Sequence, residues 1–286
     1  EVFGFLGPNG AGKTTAVKLL LGLTRRTAGD GEVLGRPIGD RETRRRVGYL
    51  PELFRYQAWL TAHEVLMLHA QLAGLPSKGR RAEIERVLAI AGLADRADDR
   101  TGGFSKGMQQ RLGLAAALMG DPALVILDEP TSALDPVGRD DVRAIIREAR
   151  DRGSAVFLNS HLLGEVERLC DRVAIVNHGR VITAGTLSEL LGESAVRIEV
   201  TDLPSTDAVT AALAPFGNVA HDDDWVTIRP IEPDRIPDAV AAIVGLGGRV
   251  HAVDPGRRSL EDLFLGMVRE DGDGAAARPD AGTPHR

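Results

Sequence analysis

The chain has one cysteine, Cys170, among 286 residues. A single thiol excludes an internal disulfide framework and any zinc site built from clustered cysteines. Cys170 lies in a half-apolar helical stretch, where a small buried side chain is the default. Apolar runs of the ~18 residues needed to cross a bilayer are missing, and no signal peptide is visible. The chain is therefore expected in the cytoplasm unless a partner brings it to a membrane. Positive charge is not in excess either. The formal net charge of −6 argues against a dominant nucleic-acid partner, because wide phosphate binding needs clustered cations. The basic run Arg41-Glu42-Thr43-Arg44-Arg45-Arg46 reads as a solvated charged face. Internal repeats are lacking. Lysine is scarce, with four in the chain (Lys13, Lys18, Lys78 and Lys106), so a motif demanding lysine at a fixed place is seldom met by accident.

One such motif is present. Gly7-Pro8-Asn9-Gly10-Ala11-Gly12-Lys13-Thr14-Thr15 follows a short apolar strand, Val2 to Leu6, and opens a helix. That context is what the phosphate-loop pattern G-x-x-x-x-G-K-[ST] requires. Its glycines let successive backbone N–H groups turn inward around a di- or triphosphate, and the new helix adds its positive dipole end. Lys13 would reach the β- and γ-phosphates, and the Thr14 hydroxyl would hold Mg²⁺.

The second anchor is Leu124-Val125-Ile126-Leu127-Asp128-Glu129-Pro130. Four apolar residues in a row indicate a strand buried on both faces, as in a parallel sheet. Such a strand delivers Asp128 and Glu129 to the carboxyl edge where ligands bind in open α/β sheets. Asp128 is the partner a phosphate loop needs to complete Mg²⁺ coordination. Between the anchors, helices are expected over Leu60–Leu75 and Lys78–Gly92, and another after Phe104. After the second anchor, strand and helix alternate to about Thr183. The expected fold is a doubly wound, mainly parallel α/β sheet with an inserted helical segment. From Val196 the pattern becomes βα-β(β)-αβ, a small α+β unit of ferredoxin-like type. Asp222-Asp223-Asp224 reads as a solvated turn rather than a cation chelate. Ser259 and Asp262 form a capping-box pattern before a last helix. The expected division is residues 1–190 with a helical subdomain over 53–122, a small domain over 195–269, and a disordered tail over 270–286. The chain opens without methionine inside a strand, so residues upstream of Glu1 are expected to be missing.

These segments together resemble the ATPase subunit of ATP-binding cassette transporters, over nearly all of residues 1–269. Beside the phosphate loop, Phe104-Ser105-Lys106-Gly107-Met108 is similar to the family's signature, usually L-S-G-G-Q. Leu127 to Pro136 resembles the acidic pair and D-loop, and Asn159-Ser160-His161 with Glu165 to Val173 resembles the switch-histidine segment. The resemblance implies a P-loop NTPase fold, ATP and Mg²⁺ as ligands, and ATP hydrolysis. It implies two subunits paired head to tail, as a homodimer or with a second cassette. Each ATP would then lie between one phosphate loop and the other subunit's Ser105, Lys106, Gly107 and Asp135. Glu129 would act as general base, Asp128 would serve Mg²⁺, and His161 would contact the γ-phosphate. Alone, a strand-end histidine is more often a core residue.

Departures from the family pattern are visible. The family's glutamine after the third strand is here Glu52, which can bind Mg²⁺ but adds negative charge beside Asp128 and Glu129. Lys106 and Met108 replace the usual glycine and glutamine; Lys106 either adds charge near the phosphates or faces solvent, the second reading being preferred. The adenine-stacking aromatic of the family would precede residue 1. These departures and the short C-terminal module resemble the branch that powers drug, antibiotic or lipid exporters. The implied partners are integral-membrane permease subunits, docked on Leu53 to Leu75 at the inner face of the cell membrane, with no nucleic acid. The alternative is a soluble cassette ATPase of DNA maintenance or translation. The first would insert coiled coils or zinc modules between phosphate loop and signature; the second would carry two cassettes.

Overall fold

The computed structural model describes residues 1–267 except 133, 193, 257 and 258. The expected tail over 270–286 lies outside the described residues. The chain divides into two compact units, Glu1–Gly185 and one beginning at Thr186.

In the first unit the elements run β1 (Val2–Leu6), α1 (Lys13–Leu20), β2 (Glu32–Val33), β3 (Arg36–Pro37), α2 (Arg41–Arg45), β4 (Val47–Leu50), α3 (Ala62–Leu72), α4 (Arg80–Ile90) and α5 (Lys106–Ala117). They continue with β5 (Leu124–Asp128), α6 (Pro136–Asp151), β6 (Ala155–Asn159), α7 (Leu163–Leu169), β7 (Arg172–Asn177) and β8 (Arg180–Thr186). The main sheet has the order β4-β5-β6-β1-β7-β8. Pairing is parallel from β4 through to β7.

Strand register explains why helices cover both faces. Ile126 aligns with Phe157, and Phe157 with Phe3, so these three point the same way. α1 packs there, with Val17 and Leu21 against Ile126. The alternate positions meet the other helices. A Cβ on Gly4 would lie 2.8 Å from Val166 of α7, and one on Gly48 only 1.8 Å from the Ala117 carbonyl oxygen of α5. Because the obstacle at Gly48 is backbone, the β4–α5 contact cannot relax by rotating a side chain. Gly48→Ala is expected to lower unfolding free energy by about 3 kcal/mol, read as a lower urea midpoint at unchanged m-value.

The inserted helices are shorter than their apolar periodicity. α3 starts at Ala62 because Thr61 and Glu64 form a reciprocal capping box, a T-x-x-E signal that outranks the apolar Leu60. α4 starts after Gly79, whose φ of 109° ends the preceding turn. The basic run, expected as a charged face, forms the short helix α2 and its end: its arginines are all exposed while Thr43 turns inward.

The second unit contains α8 (Leu187–Leu191), β9 (Val196–Thr201), α9 (Thr206–Leu213), β10 (Asn218–Asp222), β11 (Trp225–Arg229), α10 (Ile236–Gly245) and β12 (Arg249–Asp254). Its antiparallel sheet has the order β10-β11-β9-β12. Alternate residues Val196, Ile198, Val200, Val226 and Ile228 bury against Val209, Leu213, Ala239 and Ile243 of the two long helices. The aspartate run forms the end of β10 and a tight turn, with Asp223 at φ 48°. A last helix over 260–267 is capped reciprocally by Ser259 and Asp262. Among the described residues no helix is long and apolar enough to cross a membrane.

Candidate functional site

The site forms where three neighbouring parallel strands end. Phe5 of β1 and Asp128 of β5 both align with Asn159 of β6. The segments leaving these strands therefore emerge side by side: the loop Gly7–Gly12, then Glu129, then Ser160 and His161. Glu52 follows β4, the parallel neighbour of β5, at the same sheet edge.

The loop is shaped by backbone. Gly10 and Gly12 have φ of 83° and 96°, conformations that a side chain would strain. A Cβ on Gly7 would come 2.4 Å from the Val176 carbonyl oxygen of β7, so only glycine lets the loop lie against that strand. The turn between β7 and β8 props it from the same side, Gly179 N–H donating to the Ala11 carbonyl at 3.0 Å. Gly12 caps α1 without a side-chain hydrogen bond. The N–H groups of the first turn are thus left to a ligand, with the positive end of the helix behind them. Lys13 is buried, and its ammonium donates to the Gly7 and Pro8 carbonyls at 2.8 and 3.2 Å.

The opposing wall is acidic and short of donors. Asp128 is 1% exposed and Glu129 9%. Asn159 Nδ2 donates to Asp128 Oδ1, and Glu129 N–H donates to the Asn159 carbonyl at 2.8 Å. Glu129 has φ 54°, a costly conformation for a non-glycine residue and one that concentrates at functional sites. His161 Nδ1 lies 2.8 Å from Glu129 Oε2, an ion-pair distance, and Oε2 is otherwise without a hydrogen-bond partner. Among the described residues four buried side-chain atoms lack a hydrogen-bond partner: Thr43 Oγ1, Asp128 Oδ2, Glu129 Oε2 and Asn159 Oδ1. Three of the four meet here. A buried acceptor without a donor is costly, and a bound cation or a water shell would satisfy all three.

The carboxyls respond as burial dictates. Desolvation pushes both above their ordinary values of 3.8 and 4.5, against the pull of Asn159 on Asp128 and of His161 on Glu129. Glu52 adds a repulsive push on Asp128. An acid raised on folding contributes stability only while protonated, and loses it as pH climbs from the ordinary value through the raised one. Neutral pH is therefore the unfavourable end. Glu129→Gln is expected to raise the melting temperature near neutrality, by about 2–4 °C per kcal/mol of relieved desolvation. The gain should vanish toward about pH 4; calorimetry at the two pH values reads it.

Asn9, Gly10, Gly12, Lys13, Thr14, Thr15, Glu52, Glu129, Asn159 and His161 line one cleft of about 330 Å³. Asp128 lies beneath it, held through Asn159. Pro8 and Gly7 face Lys13, and Ala11 is buried behind the loop. Ser105, Lys106, Gly107 and Asp135 do not line this cleft. Ser105 Oγ caps α5 through Met108 N–H at 3.2 Å, and Asp135 Oδ1 caps α6 through Gly138 N–H at 2.7 Å; both residues are exposed, as is Lys106.

Residues 1–132 match the family model described as ABC transporter. An uncharacterized ABC transporter ATP-binding protein of Nostoc sp. is 40% identical over 272 residues, 94% of this chain and 80% of its own length. The chain belongs to the ABC transporter ATP-binding proteins. Nod factor export ATP-binding protein I of Burkholderia thailandensis is likewise 40% identical, over 94% of this chain and 88% of its own. Among solved structures, an ATP-binding subunit of an ABC transporter is 32% identical with a TM-score of 0.60, covering 66% of this chain and 80% of its own. Another is cbiO1 from Clostridium perfringens, part of the transporter complex cbiONQ, at 27% identity and a TM-score of 0.59, covering 66% and 78%.

As a member of this family the chain is an ATP-binding subunit that hydrolyses ATP. Asn159 is the residue of this cleft to which the sequence alone assigns no role. It stands two residues before His161 at a strand end, but its contact with Asp128 depends on which strands are neighbours.

Proposed function

We propose that the cleft holds the triphosphate of Mg·ATP, and that this chain energises export of a drug-, antibiotic- or lipid-like molecule through separate membrane subunits. The buried oxygens beside a glycine cradle support the reading: Asp128 Oδ2 and Asn159 Oδ1 have no hydrogen-bond partner, and Glu129 Oε2 is met by His161 alone.

Lys13 would leave its own loop carbonyls for the β- and γ-phosphates, while the N–H groups of Gly10 to Thr15 wrap the phosphate oxygens. Thr14 and Asp128 would hold Mg²⁺, with exposed Glu52 facing the metal's waters from the rim. Among the described residues no three His, Cys, Asp or Glu side chains cluster closely enough to hold a metal by themselves. That suits Mg²⁺, which takes one or two carboxylates and completes its shell with phosphate and water. Bound there, Mg²⁺ would neutralise charge on the transferred phosphate. Glu129 takes a proton from the attacking water, its raised pKa making it a stronger base. His161, half-exposed and beside Glu129, meets the γ-phosphate and registers its loss.

Ser105 to Gly107 and Asp135 do not line the cleft, so these residues are assigned to the ATP of a partner subunit in a head-to-tail dimer. The N–H groups at the start of α5, capped once by Ser105, suit an anion there. Docking to the permease is assigned to the segment after Glu52, where Leu53, Trp59, Leu68 and Leu72 are 88%, 68%, 45% and 76% exposed. Such a run of apolar surface marks an interface. With that docking the subunit would sit on the inner face of the membrane. The export direction leans on the likeness to the Nod factor export protein. An affinity-tagged chain is expected to draw an integral-membrane protein out of detergent-solubilised membranes; a chain that repeatedly comes out alone would defeat the reading.

A further inference from the structure

Away from the cleft, Arg143 and Glu165 form a buried ion pair with side-chain exposures of 9% and 7%. Arg143 Nη1 donates to both carboxylate oxygens of Glu165, at 2.6 and 2.8 Å. Its Nη2 donates to Asp140, one turn back on α6, so the guanidinium is held from two directions. Buried pairs of this kind often add no more stability than apolar side chains of the same volume. What distinguishes this one is what it joins.

α6 begins at Pro136, capped by Asp135, a few residues after Glu129. α7 begins two residues after His161, and its far side is pressed onto β1, where a Cβ on Gly4 would lie 2.8 Å from Val166 Cγ1. The chain is pinned on both sides of His161: Ser160, just before it, is fully buried and its Oγ accepts from Leu162 N–H at 3.1 Å. Glu165, in the first turn of α7, is four residues beyond His161. The pair therefore ties the helix behind the base to the helix behind the histidine, and β1 ties the latter to the phosphate loop.

We propose that Arg143 is a positioning residue for ATP hydrolysis: through Glu165 it sets where His161 stands over Glu129. The two segments then move as one body when nucleotide closes the cleft. This rests on the roles proposed above for Glu129 and His161.

The full chain is compared with Arg143→Lys, Glu165→Gln, the double variant Arg143→Met/Glu165→Met, and Glu129→Gln. Lysine keeps the charge but loses the planar fork. The double variant leaves no unpaired buried charge, so its melting temperature is expected to return close to that of the parent chain. Arg143→Lys and the double variant are each expected to lose about tenfold or more in kcat, with KM for ATP within about twofold, the signature of a defect felt in the transition state. A kcat that recovers together with stability in the double variant makes the pair structural and overturns the proposal. So does a parental kcat in Arg143→Lys, which decides the matter should the double variant not fold. Full hydrolysis by Glu129→Gln would overturn the reading of the site and the role of Arg143 with it. A recovered double variant beside an inactive Glu129→Gln overturns the role of Arg143 alone.

Discussion

Glu129→Gln is expected to bind ATP as the parent chain does and to hydrolyse it about 10²–10⁴-fold more slowly. The amide keeps the size of the side chain and the backbone hydrogen bond to Asn159, so the cleft survives. What it loses is a carboxylate whose Oε2 is buried without a hydrogen bond, placed by a left-handed backbone at φ 54°. A carboxylate raised by desolvation holds a proton better than an exposed one, and that capacity vanishes with the charge. With hydrolysis stalled, the nucleotide should remain between two subunits and shift the chain to a dimer on a sizing column. Turnover at the parental rate would require another base, and monomers alone at saturating ATP would remove the head-to-tail pairing.

Lys13→Ala is expected to weaken ATP binding by about 100-fold or more, the loss of two charge-assisted hydrogen bonds, read by equilibrium titration with a fluorescent analogue. The ammonium bonds to the Gly7 and Pro8 carbonyls. Removing it therefore also deprives the loop of its internal clasp. The same cation pulls down the pKa of Asp128 and Glu129. Its loss leaves two buried carboxyls with less compensation, so binding should fall further at neutral than at mildly acid pH. Normal ATPase activity in this variant would refute the phosphate assignment.

The residues alone determined whatever depends on local chemistry. A phosphate loop is legible because its requirements are contiguous: glycines where the backbone needs positive φ, a lysine, a hydroxyl, an apolar strand before and a helix after. The parallel sheet is legible in Leu124 to Leu127, since only a strand covered on both faces is apolar at every position. Capping pairs such as Ser259 and Asp262 are legible for the same reason, being three residues apart. Tertiary structure decided what lies between distant positions. Asp128 meets Asn159 only because β5 and β6 are neighbours in register, and Arg143 meets Glu165 only because the fold brings α6 and α7 within reach of two long side chains. Whether Gly48 is a turn or a point of contact depends on a helix that arrives about 70 residues later. The separation of Ser105 and Asp135 from the cleft also belongs to the fold. Periodicity states which face of an element is buried, but the partner it is buried against is chosen by packing, and the unsatisfied acceptors at this site exist only after that choice is made.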